Sequence, residues 1–138
     1  MEKITLYIGG LAKGNPGPAA IGVSMVDASG QVLKEVSESI GNATNDYAEY
    51  FAVVRALQVA EEKFGAKTRE KEFEIKLSNE LVKRQLNNEE PIKNVSLIGH
   101  FIEIHNLGVA SFPNVKLTHI SPAQNQSVEK LISGILAA

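Results

Sequence analysis

A single change of hydrophobic period, near residue 44, narrows the folds open to this 138-residue chain more than anything else in it. Before that point apolar residues alternate. Ile4, Leu6 and Ile8 share one face of a segment whose other face carries Lys3, Thr5 and Tyr7, and the alternation returns through Ile21, Val23 and Met25 in residues 20–27. A period of two is that of a strand with one buried face. Between them lies the glycine- and proline-rich stretch GGLAKGNPGP, read as a loop. Asp27-Ala28-Ser29-Gly30 is a turn signal, after which Val32 to Ile40 reads as a third strand. Three strands with short connections predict an antiparallel meander. After residue 44 the pattern is helical. Thr44 or Asn45 can cap a helix, an apolar-rich run extends from Tyr47 to Phe64, and Gly65 closes it.

The rest of the chain alternates strand with helix. FEIKL at 73–77 is a fourth strand, Asn79 to Asn87 a short helix, and 88–95 a polar loop with a proline. Leu97 to Leu107 is a third helix, Val115 to Ile120 a fifth strand, and Asn125 to Ala137 a last helix. A long helical connection between strands suits a parallel crossover. The predicted order β-β-β-α-β-α-α-β-α therefore builds one α/β domain over residues 1–138. Its five-stranded mixed sheet has three antiparallel strands and two parallel ones, with helices on its faces. The apolar C-terminal run LISGILAA suits packing on the domain or on a second copy.

Composition excludes several classes. An apolar content of 43% supplies one core. The absence of cysteine removes disulfides, thiol catalysis and thiolate metal sites. No run approaches transmembrane length, and MEKITLYIGG lacks the apolar stretch of a signal peptide, so a cytoplasmic location is expected. A net charge of -2 sets the chain apart from strongly basic, nonspecific nucleic-acid binders, although a local basic patch is compatible with it.

The segment AEYFAVVRALQVAEE is apolar almost all round, which predicts a buried, central helix. Arg55, Gln58 and Glu62 fall on one arc, the expected solvent face, and Glu49 points roughly 120° or more away from it. A carboxylate there needs a partner or a metal. The alternative is a carboxylate exposed in the first turn that complements the helix dipole. Elsewhere no serine nucleophile motif or helical HExxH occurs. His100 and His105 lie five apart on one predicted helix, off the spacing that would place them on one face.

Several segments together resemble ribonuclease HI: GNPGP at 14–18 after the first strand, TNDYAEY at 44–50, SNELVKRQL at 78–86 and HISPAQNQSVEKL at 119–131. The resemblance covers nearly the whole chain and preserves the spacing between elements. It looks closest to the short form that lacks a basic extension. It implies a domain descended from enzymes that cut the RNA strand of RNA–DNA hybrids with two magnesium ions held by four carboxylates, a two-metal hydrolysis.

Carried over position by position, the resemblance implies an incomplete site. The aspartate that bridges both metals falls on Gly9. The helix glutamate is Glu49. The aspartate closing the fourth strand falls on Ser78, and that of the last helix on Glu129. The mobile histidine matches His119. Two carboxylates are missing, one of them the bridging group. Attraction between unit charges at about 4 Å is roughly 4 kcal/mol at an effective dielectric of about 20. Losing two such partners predicts loss of the two-metal arrangement and of hybrid cleavage. No cofactor is then required, and magnesium or manganese is expected at most at one weak site on Glu49 and Glu129. Asp46 and Glu80, near the missing positions, are the residues that could compensate.

The resemblance also implies contacts to a hybrid through Asn15 and Asn45, with Lys83 and Arg84, and beyond them Lys13 and Lys93, as phosphate partners. Plainer roles stand beside these: Asn15 as a turn former before Pro-Gly, Asn45 as a helix cap, and Lys83 and Arg84 as the solvated face of a short helix. Asp46 and Glu80 place negative charge where the family is neutral, which opposes phosphate approach. Three readings follow: a non-cutting hybrid or nucleic-acid binder, an active metal-dependent hybrid ribonuclease with a rearranged site, and a protein-interaction scaffold that keeps only the fold.

Overall fold

The computed structural model describes residues 1–137. Strands β1 (Lys3–Ala12), β2 (Gly17–Val26) and β3 (Val32–Ala43) form the antiparallel meander. Helix α1 (Asn45–Phe64) crosses over to β4 (Glu72–Leu77), which pairs parallel to β1 with Lys3 opposite Glu72. Helices α2 (Glu80–Leu86) and α3 (Ile98–Ser111) lead to β5 (Val115–His119), parallel to β4, and α4 (Gln126–Leu136) ends the described chain. The sheet order is β3-β2-β1-β4-β5. The expected order of elements and the five-stranded mixed sheet both hold.

Boundaries differ where glycine misleads. The stretch read as a loop is mostly strand: Gly9 and Gly10 belong to β1 and pair with Gly22 and Ile21 of β2, leaving only residues 13–16 as the connection. Glycine carries no side-chain pattern, but its backbone fills a ladder like any other. Strand β3 runs on to Ala43 past an irregularity opposite Ala19 and Ala20. The Asp27 turn forms as read. The Asp27 carboxylate accepts from the N–H groups of Ser29 and Gln31, and Gly30 takes φ 90°. Helix α1 begins at Asn45 because the cap is Thr44, whose hydroxyl accepts from the Tyr47 N–H at 3.1 Å. Asn79 likewise caps α2 and accepts from Val82. Helix α3 continues to Ser111, beyond the expected end at Leu107.

The core lies between the sheet and α1. Ile4, Leu6 and Ile8 meet Ala48, Ala52, Val53, Ala56 and Ala60, with Phe73 and Ile75 beside them. The small residues of α1 let it lie close to β1. The expected solvent arc of α1 is only partly solvated: Arg55 pairs with Glu38 of β3 and Gln58, while Glu62 is exposed. Helix α4 covers the opposite face of the sheet through buried Val128 and Ile132, so the described part of the apolar C-terminal run packs on its own domain, with Ala138 outside the described residues. Burying two such side chains contributes roughly 3–6 kcal/mol before entropy is counted. Among the described residues no helix is long and apolar enough to cross a membrane.

Candidate functional site

Helix α1 meets the end of β1 so closely that only glycine fits at residue 10. A Cβ there would lie 2.3 Å from the Ala48 carbonyl carbon. This approach delivers Glu49 to the sheet. The Gly10 N–H donates to Glu49 Oε2 at 2.8 Å, while Oε1 has no partner and the residue is only 4% exposed. Burial pushes its pKa up to about 8; the Gly10 N–H opposes the rise and the charge of Asp46 adds to it. Of the two roles open to Glu49, the exposed dipole partner is thereby excluded.

Glu49 opens onto a cleft of about 220 Å³ whose walls include Gly9, Ser78, Asn125 and Glu129. The fold thus gathers at one place the four positions that resemblance marked as the family's carboxylate sites. Ser78 follows β4 directly and is half-buried, and Glu129 stands exposed on α4. Asn125 was not foreseen. It is 1% exposed, its amide donates to the Ile8 carbonyl at 2.9 Å, and its Oδ1 has no partner. Its place four residues before Glu129 was the one available signal.

Gly9 lies on the opposite face of β1 from Gly10, beside its cross-strand partner Gly22. The two glycines leave a dent that α4 fills. A Cβ at Gly9 would sit 2.9 Å from Val128 Cγ1 and 3.2 Å from Ile132 Cδ1, and one at Gly22 would sit 3.2 Å from Val128 Cγ1. A side chain at Gly9 would therefore press on Val128 and Ile132, and α4 would have to give way to admit it. Among the described residues no group of three or more His, Asp or Glu side chains is placed to share an ion. The donor set does not fit a two-metal centre. Two buried oxygens without partners, beside Glu129, fit one hard cation such as magnesium or manganese, which oxygen ligands prefer.

The hydrogen bonds of Asn45 differ from the capping role. Its Oδ1 accepts from the Ala12 N–H at 2.8 Å, and its own N–H donates to Asn15 Oδ1 at 2.9 Å. Both amide oxygens are thus used inside the protein, which orients both side chains and leaves their NH₂ ends as donors. Asp46 accepts from the Asn79 amide at 2.9 Å, tying α1 to the start of α2. Lys83 pairs with Glu89 at 3.4 Å, and Arg84 with Glu80 at 2.7 Å and Glu90 at 3.3 Å, so both cations are matched by carboxylates within their own segment. His119 is exposed at the end of β5, opposite Leu77, and does not line the cleft. His100 packs edge-on against Tyr47 and Phe51, a structural role, and His105 is exposed.

Residues 8–133 match the family model described as reverse transcriptase-like. Ribonuclease HI of Halobacterium salinarum is 31% identical over 97% of this chain and 64% of that protein. A bifunctional protein of Mycobacterium tuberculosis is 28% identical over 99% of this chain, which spans only 36% of it. Among solved structures, LC11 ribonuclease H1 in complex with an RNA/DNA hybrid superposes with a TM-score of 0.91 at 37% identity, covering 95% of this chain and 94% of that one. Ribonuclease H1 of H. salinarum gives 0.87 at 30%, covering 99% of each. With the family model covering most of the chain and the fold in agreement, the chain belongs to the reverse transcriptase-like family of ribonuclease-H-like domains.

Proposed function

We propose that this domain binds RNA–DNA hybrid without cutting it by two-metal hydrolysis. The observation that carries this reading is Gly9 at the bridging position, without a carboxylate of its own and with Val128 and Ile132 of α4 packed where its Cβ would stand. Binding is supported by the paired amides of Asn15 and Asn45, whose NH₂ ends remain available for base-edge acceptors and 2′-OH groups. A structural neighbour at 37% identity is an RNase H1 in complex with such a hybrid. A divalent cation held by Glu49, Asn125 and Glu129 would supply local positive charge near a phosphate. Glu49 and Asn125 would orient it, with Glu49 giving up the proton that burial favours.

A second reading, a nuclease with a rearranged one-cation site, is favoured by the two unpartnered oxygens in the cleft. A third, a scaffold that keeps only the fold, is favoured by the pairing of Lys83 and Arg84 with acidic neighbours.

The test is a labelled RNA–DNA hybrid offered with magnesium and then manganese, followed by both anisotropy and cleavage. The expected result is low-salt binding, weaker for single strands, and an intact RNA strand. Cleavage that disappears in Glu49→Gln would establish the rearranged nuclease instead. Absence of binding to hybrid, duplex and single strands would leave the scaffold. A variant combining Gly9→Asp, Ser78→Asp and Val128→Ala, which restores the missing carboxylates and clears room for the first, is expected to gain cleavage.

A further inference from the structure

The Glu49 cleft has a donor side as well as an acceptor side. Its unpartnered oxygens, on Glu49 and Asn125, together with Glu129, suit a cation. The remaining polar side chains in its wall are Ser78 and Ser133. Ser78 puts a hydroxyl where resemblance implies a carboxylate, and a hydroxyl donates to anions where a carboxylate only accepts. Ser133 lies about one turn beyond Glu129 on α4, so the cleft runs on along the helix past the carboxylate positions. A cation stands beside these hydroxyls. Lys76 precedes Ser78 by two residues on β4, about 6.6 Å back along the strand. Strand alternation turns Lys76 to the α4 side of the sheet, since Ile75 and Leu77 enter the core under α1. Its ammonium lies over the ring of Tyr7, 5.5 Å from the centroid, and Tyr7 is its register partner on β1, two residues before Gly9. The acid nearest in sequence on that face, Glu74, is already held by Lys3 at 2.8 Å, by Lys116 at 3.9 Å and by the Thr118 hydroxyl at 2.6 Å. Among the described residues Lys76 is paired with no carboxylate.

We propose that Ser78, Ser133 and Lys76 form a phosphate subsite on the sheet side of the cleft, which takes one backbone phosphodiester of the bound nucleic acid directly, by hydrogen bonds and charge rather than through metal ions. The inference rests on the reading that the domain binds hybrid, and it assigns the contact to residues of which Lys76 and Ser133 have no counterpart among the positions that resemblance marks. Two hydroxyls and an ammonium supply donors to both non-bridging oxygens of a phosphodiester. Two acids face the subsite, Glu49 from α1 and Glu129 from α4. Oε2 of Glu49 is turned to the Gly10 N–H. Beside Glu129 stands Lys130, in the wall of a recess of about 330 Å³ that shares Glu129 and Ser133 with the cleft. Two lysines thus balance two carboxylates, and the aimed donors decide which ion enters. A free phosphate ion is held weakly on those terms. A strand already docked through Asn15 and Asn45 brings its phosphate at a high effective concentration, and the same contacts then count. A carboxylate at residue 78 would reverse the preference, because it accepts where the phosphate also accepts.

Amide NMR of the whole chain in metal-free buffer tests the subsite without any hybrid. Inorganic phosphate, raised to about 50 mM against chloride at constant ionic strength, should shift the Ser78 and Ser133 amides saturably, with a dissociation constant of about 1–20 mM. Ser78→Asp should abolish those shifts. Anisotropy with a labelled RNA–DNA hybrid, in the same buffer, then reads the strand. Ser78→Ala and Lys76→Met should each weaken hybrid binding about 3- to 10-fold, and Lys76→Met should also reduce the salt slope by about 1. Lys63→Met, in the last turn of α1 and far from the cleft, should change neither. Phosphate that leaves Ser78 and Ser133 unmoved would overturn the subsite, as would hybrid affinity and salt slope unchanged in both Ser78→Ala and Lys76→Met. Hybrid that fails to bind while phosphate still shifts Ser78 and Ser133 would instead overturn the hybrid reading and leave the subsite standing.

Discussion

Glu49 shows at the scale of one residue how burial sets chemistry. Its folded pKa stands at about 8 against 4.5 for a free glutamate. Between those values the folded protein holds a proton that the unfolded chain has released, so stability falls as pH rises, by up to about 1.4 kcal/mol per pH unit. The contribution is fully present below about pH 4.5 and is lost through pH 8. Urea unfolding of metal-free protein at pH 5, 6.5 and 8 should show that decline, and Glu49→Gln should flatten it. Magnesium bound at the proposed site would act in the opposite sense, because that site needs the ionised form. At tenfold excess over its dissociation constant it should stabilise the protein at pH 8 by about 1.4 kcal/mol, and not the Gln variant. Gly9 makes the complementary case. Gly9→Asp alone should destabilise by about 2–4 kcal/mol, the cost of overpacking on Val128 plus a buried carboxylate, and Val128→Ala should recover part of it in the same assay.

At the scale of elements, the N-terminus of α1 is the junction that organises the site. Thr44 caps it, Asn45 reaches back to Ala12 of β1, Asn15 of the hairpin holds the Asn45 N–H, and Asp46 holds Asn79 before α2. These bonds span up to 33 residues of sequence. Asn45→Ala removes the acceptor for the Ala12 N–H and should cost about 1–2 kcal/mol in thermal or urea unfolding. It should also weaken hybrid binding more than it weakens stability, since the same side chain presents the free NH₂. Equal loss in both measurements would mean that Asn45 serves the fold alone.

For the whole molecule, charge decides how a polyanion is received. The chain carries a net charge of -2, and Lys83 and Arg84 are matched by Glu80, Glu89 and Glu90. Of the four cations that the resemblance marks as phosphate partners, only Lys13 and Lys93 are outside the ion pairs, so the slope of log affinity against log salt should be shallow, about -2 to -3. Replacing Asp46 with Asn and Glu80 with Gln removes two negative charges near the mouth of α2 and frees Arg84 in part. Hybrid affinity at low salt should rise about 3- to 10-fold, and the gain should vanish above about 0.3 M salt, where the Debye length is shorter than the separation of the charges. Anisotropy across a salt series measures both numbers.

Periodicity, caps and turn residues in the chain determine the order of strands and helices, because each is a local property of a few neighbours. The burial of Glu49 was legible for the same reason, as a carboxylate off the polar stripe of an apolar helix. What Glu49 does there was not legible, because its partners lie at Gly10 and across the cleft at Asn125, remote in sequence. Only the tertiary structure shows that Asn45 is bonded to β1 rather than capping α1, and that Lys83 and Arg84 already have partners. It alone shows what lies over Gly9: Val128 and Ile132, well over a hundred residues later, pack against it, because close packing brings a helix down onto glycine wherever no Cβ holds it off.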